Sequence, residues 1–147
     1  MAAIVVTLDA DHLLRALSQA RHKIQDKALM TSISLSLLKN NEERHIAHQA
    51  PDGTQWEKLK PYTLLHKTNP RWLVEHGDML RFYSRATSKT IMVGSADKKA
   101  YWHHHGTKHD SDKGPVRRLP ARPLVGFPDS DRQFTLDLIG DHLRTIL

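Results

Sequence analysis

The chain has 147 residues, of which 39% are hydrophobic and 26% charged, and carries a net charge of +6 at neutral pH. That length fits a single domain over residues 1–147, and aromatic residues at only 6% imply a largely aliphatic core. Cysteine is absent, which excludes disulfides and thiolate metal sites; no apolar run reaches about 18 residues, so no membrane-spanning helix is expected.

Residues 2–8 are rich in β-branched side chains and predict a short strand. They lack the basic start and long apolar stretch of a secretory signal. Asp9 or Asp11 then offers an N-cap for a helix carrying Leu13, Leu14, Leu17, Ile24 and Ala28. A second helix over 30–48 places Ile33, Leu37, Leu38 and Ile46 on its apolar face. No Gly or Pro divides the two, so two helices, or one bent near Leu29, both fit. Pro51-Asp52-Gly53 predicts a tight turn. Beyond it the chain reads as irregular to Asn69, anchored by Trp56, Leu59, Tyr62 and Leu65, with a helical turn at 61–67 opened by Pro61.

Residues 73–95 predict a short helical turn and then a β-hairpin, with strands at about 80–86 and 89–94 and Thr87-Ser88 near the turn. Adjacent strand residues face opposite sides, so one of Phe82 and Tyr83 should be buried and the other exposed. Tyr101–His105 predict a brief helix ended by Gly106, followed by a polar basic loop over 106–118. In "LPARPLVGFP" the prolines enforce stiff, extended chain. Asp129 or Ser130 caps a last helix with Phe134, Leu138, Ile139, Leu143 and Ile146 on one face. The fold class is therefore α+β. Helices near both ends pack on a small antiparallel sheet, supplied by strand 2–8, the hairpin and a short pairing within 106–118, with a long basic loop.

The charge is uneven. Residues 98–122 hold Lys98, Lys99, Lys108, Lys113, Arg117, Arg118 and Arg122 against Asp110 and Asp112, so five of the six net charges lie there. Such a segment suits an anionic partner, either nucleic acid or an acidic protein surface; an ordinary solvated loop fits equally.

His103, His104, His105 and His109 invite a metal site, but successive helical residues point about 100° apart and cannot converge on one ion. No HExxH, paired carboxylates, G-x-S-x-G elbow or glycine-rich phosphate loop completes a catalytic or cofactor set. No enzyme activity, metal or cofactor is expected. Trp56 and Trp72 read as core or loop anchors rather than ligand platforms.

Five segments recur in a recognisable order: "APDGTQWEKLKPYTLLHK" at 50–67, "LVEHGDMLRFY" at 73–83, "TIMVGS" at 90–95, "YWHHHGTK" at 101–108 and "LPARPLVGFPDSD" at 119–131. This ordered set resembles the phage virion morphogenesis (tail-completion) family. The resemblance marks Pro51, Gly53, Trp56, Gly77, Tyr101, His105, Gly106, Pro120, Arg122, Pro123 and Gly126 as its structural motif. Trp102 stands where the family often has alanine, and the family histidine is His105 or His104. Its role is expected to be structural, a ring nitrogen meeting a backbone carbonyl or capping the turn.

The resemblance implies a structural protein of a tailed phage or prophage, acting in tail completion and stable head–tail joining, as terminator or completion protein. A ring at the neck or tail end is expected, hexameric by analogy with tail tubes, with other tail or neck proteins as partners. The location implied is the virion, after assembly in the host cytoplasm, with no membrane partner. Candidate interface residues are Lys108, Lys113, Arg117, Arg118 and Arg122. The basic loop would dock on acidic neighbouring subunits or make non-specific contact with DNA in the channel. Docking is preferred, because no aromatic residue interleaves the cations within 106–122. Arg122 reads as free to pair with a carboxylate, so Arg122→Ala is expected to impair assembly more than folding; a stiff connector into the last helix is the other reading. The alternative function is a small basic nucleic-acid-binding module.

Overall fold

The computed structural model describes residues 10–69, 71–74, 81–109 and 117–146. The predicted strand at 2–8, most of the helical turn after Leu73, Gly77 and Lys113 lie outside them.

Two helices open the described chain, and the break falls at Gln25-Asp26 rather than near Leu29. Helix α1 (Ala10–Ile24) already contains Asp11, which is therefore not its cap. Asp26 takes an extended backbone and its carboxylate accepts the Ala28 N–H at 2.8 Å, starting α2 (Lys27–Ile46). A short acidic side chain competes for backbone donors and so separates helices without Gly or Pro.

Leu29, Ile33 and Leu37 form the buried stripe of α2, which continues through the polar Asn41 and His45. Ile46 was expected on this face but is 75% exposed. It lies nine residues after Leu37, and at 100° per residue that is the opposite side of the helix.

Strands β1 (Phe82–Ala86) and β2 (Ile91–Ser95) pair antiparallel, with Phe82 opposite Ser95 and Ala86 opposite Ile91. Thr87 closes the turn: its hydroxyl accepts the N–H groups of Lys89 and Thr90, and its own N–H reaches the Thr90 carbonyl at 2.9 Å. The hairpin lies on α2, and its Ile91 and Val93 pack on the Leu29–Ile33–Leu37 stripe together with Leu138 and Ile139. Phe82 faces inward and Tyr83 outward, as alternation requires.

A second cluster joins Ala50, Trp56, Leu73, Ala100 and Leu124, with Trp72, Phe82 and Val125 against it. Between Ile46 and α3 (Pro61–His66), the Pro51-Asp52-Gly53 turn folds the chain so that Trp56 enters this cluster. Pro61 opens α3, as expected. That helix, however, buries none of its residues: Tyr62 and Leu65, predicted anchors, are exposed, Leu65 at 82%.

Helix α4 (Lys98–His105) starts three residues before the predicted span because the Asp97 carboxylate caps it, accepting the Lys99 N–H at 2.7 Å. Strands β3 (Thr107–His109) and β4 (Arg117–Leu119) pair antiparallel as a separate ribbon and do not extend the hairpin sheet.

The last helix, α5 (Asp129–Ile146), begins at Asp129 itself, so neither Asp129 nor Ser130 stands outside it as a cap. Leu138 and Ile139 reach the core, whereas Phe134 remains exposed. Buried Asp131 ties α5 to α2: it takes a bidentate pair from Arg44 at 3.1 and 2.8 Å and the Asn40 side-chain amide at 2.9 Å. The fold is α+β, helices packed around a small antiparallel hairpin.

Candidate functional site

Residues 119–126 form an extended strap with no helix or strand beyond Leu119. Prolines at 120 and 123 supply no N–H, so the strap's donors and acceptors are spent on other segments. The Arg122 N–H donates to the His103 carbonyl at 2.6 Å, and the Leu124 N–H to His104 Nδ1 at 3.2 Å. The Gly126 N–H donates to Asn41 Oδ1 at 3.2 Å, and the Pro123 carbonyl accepts Trp56 Nε1 at 3.1 Å. Leu124 itself is buried in the second cluster.

Two of the glycines flagged in the sequence, Gly106 and Gly126, sit where the strap is closely approached, whereas Gly53 has open space around it. Gly106 has φ +71°, and a Cβ there would come within 2.8 Å of the Ala121 nitrogen and the Leu119 carbonyl oxygen. At Gly126 a Cβ would meet Pro51 Cγ at 2.6 Å. Thus Pro51, Trp56, Gly106, Pro123 and Gly126, scattered over 75 residues of numbering, meet at one strap.

Arg122 departs from its expected role. It is 3% exposed, and its Nε and Nη2 donate to the Glu57 carbonyl at 3.0 and 2.9 Å, with Lys58 O at 3.4 Å from Nη2. Its donors therefore serve the backbone leading away from Trp56 instead of an outward carboxylate. Burial pulls its pKa below the ordinary arginine value, opposed by the charge of Glu57.

The histidines divide by position. His104 makes the strap contact by accepting an amide N–H, where the expectation was a bond to a backbone carbonyl or a cap on the turn. His105 is exposed and leans on the exposed Tyr101 ring, 4.6 Å between centroids. Accepting at Nδ1 requires that nitrogen to be unprotonated. The pKa of His104 is lowered by burial and then by His105, and that of His103 by burial and then by Arg122. His45, edge-on to Trp56 and Phe82, is lowered by burial and then by His48, and burial lowers His48 also.

Of the candidate interface residues, Lys108, Arg117 and Arg118 come together on the β3–β4 ribbon, where Lys108 stands opposite Arg118. Arg118 is exposed. Arg122 faces away from this group, into the core. Asn41, which the sequence reading missed, lies four residues after Leu37 on the buried stripe. A lone polar residue at an apolar position is the signal that marks it.

Among the described residues, no group of three or more His, Asp or Glu could hold a metal ion, and no helix is long and apolar enough to cross a membrane. The chain is 26% identical over 125 residues to tail completion protein S of Escherichia phage P2, spanning 80% of this chain and 83% of that protein. No solved structure gives a significant match. The profile of the phage virion morphogenesis family matches residues 8–144, nearly the whole sequence, and the chain belongs to that family of phage tail-completion proteins.

Proposed function

We propose that the chain is a structural subunit that completes the phage tail and stabilises head–tail joining, working by surface complementarity without chemical turnover. Its partners are other tail or neck proteins and further copies of itself in a ring at the neck or tail end. Closed rings use one heterologous contact repeated around an axis; six copies is the number drawn from the analogy with tail tubes. The virion is its destination and the host cytoplasm its place of assembly.

The observation that carries this reading is α3, which exposes Tyr62, Leu64 and Leu65 and buries none of its six residues. A lone chain gains nothing from a helix of that composition, whereas an assembly covers it. The β3–β4 ribbon, with Lys108, Arg117 and Arg118, is the cationic segment offered to an acidic neighbouring subunit; Lys113, between the two strands in sequence, is a further candidate for that contact.

Complementation tests the proposal: a phage lacking this gene product is supplied with the chain carrying Leu64→Ser and Leu65→Ser together. Both side chains are exposed, so the fold should survive while the yield of infectious particles falls steeply. Parental yields from that variant would refute α3 as an assembly surface. Light scattering of the untagged chain across concentration and salt then reads the ring: a discrete multimer supports it, and a monomer bound one-to-one in isolated tails overturns it.

A further inference from the structure

We propose that the outer face of α4 binds a single-stranded polynucleotide. At 100° per residue, α4 turns Ala100, His103 and His104 towards the core and strap. The remaining positions run around its exposed side in the order Tyr101, His105, Lys98, Trp102, Lys99. Rings and cations therefore share one surface, with Tyr101 67% and Trp102 53% exposed and Lys98 between Trp102 and the Tyr101–His105 pair. Eight residues at about 1.5 Å each make this face about 12 Å long, room for a few nucleotides. The cleft beside Trp102 is lined by Arg81, Lys98, Lys99 and Asp97, and the Asp97 carboxylate is already engaged by the Lys99 N–H.

The exposed lysines call for an anionic partner, and the rings decide which one. Cores of protein interfaces are depleted in lysine and centre on apolar or aromatic anchors. Here Lys98 sits between the rings, which matches phosphates alternating with stackable bases. A duplex hides its base faces and offers the rings nothing. This inference does not depend on the tail-assembly reading.

The test titrates labelled oligo-dT into the whole chain at low salt, following anisotropy and tryptophan emission. Trp56 is buried and Trp72 half-buried, so Trp102 is the exposed tryptophan and its emission should quench. Trp102→Ala should weaken binding about tenfold or more, with Trp102→Phe retaining most of the affinity. Lys98→Ala with Lys99→Ala should make the log-affinity versus log-salt slope shallower by about 1.4. All three side chains are exposed, so circular dichroism should be unchanged. Absence of oligo-dT binding, or full affinity in Trp102→Ala, overturns the proposal. So does displacement by an equal-length duplex or by polyglutamate as effective as by unlabelled oligo-dT; the polyglutamate result would assign the face to an acidic protein.

Discussion

Replacing Arg122 by methionine should destabilise the fold by about 2–4 kcal/mol while leaving the outer surface unchanged. Methionine keeps the aliphatic stem but removes Nε and Nη2, which donate to the Glu57 carbonyl at 3.0 and 2.9 Å. Hydrogen bonds from a charged donor contribute about 1.5–3 kcal/mol each, so the gross loss is about 3–6 kcal/mol. Removing a guanidinium that is only 3% exposed returns part of this, because burying a charge is itself unfavourable. The net figure is a large share of the roughly 5–15 kcal/mol that holds an ordinary domain. Urea unfolding followed by circular dichroism measures it, with an unchanged denaturant slope confirming that the same surface is exposed. Arg122→Lys should fall between, since one ammonium cannot reproduce the planar fork. A loss below about 0.5 kcal/mol, combined with poor particle assembly, would refute the reasoning and return Arg122 to the interface.

Further expectations follow from the same contacts. His45, His48, His103 and His104 all titrate below the ordinary value of 6.5 when folded, so the unfolded chain binds more protons. Stability should be full above about pH 6.5 and fall as pH drops below it, with a shallower acid limb in His104→Gln; a pH-flat urea midpoint between 7 and 5, on the order of that titration range, would contradict this. Gly106→Ala combines a left-handed φ with backbone atoms at 2.8 Å and should lose about 2–5 kcal/mol by thermal unfolding. Asp131→Ala strands the half-buried Arg44 and should lose about 3–5 kcal/mol, a cost that Arg44→Met in the same chain should partly relieve.

Much of the architecture was legible because it rests on local chemistry. Pro61 opens a helix, Gly106 ends one, and alternation put Phe82 inside and Tyr83 outside. The helix break was misplaced because no Gly or Pro marks it, only a carboxylate that bonds two residues on. Ile46 was put on the wrong face by counting it as apolar without following its angle from Leu37.

The site was legible as a set of positions and misread in its roles. An arginine between two prolines looks outward-facing, yet its partner is a backbone carbonyl 65 positions earlier, and a carbonyl leaves no mark in the sequence. The choice between His104 and His105 depends likewise on which ring meets the Leu124 amide. Nothing within YWHHHG decides that; the path of the strap does.

The strap also orders events in time. Its bonds to Asn41, Trp56 and Glu57 span 85, 67 and 65 positions, so they close long loops in the hydrogen-bonded frame. Contacts of such separation are made last, after local helices and the hairpin have formed. On the ribosome, the Trp56 indole and the Glu57 carbonyl wait without these partners until Arg122 and Pro123 have emerged. The frame around Trp56 is thus closed only once the strap has been made, and a copy that stops short of it lacks that geometry.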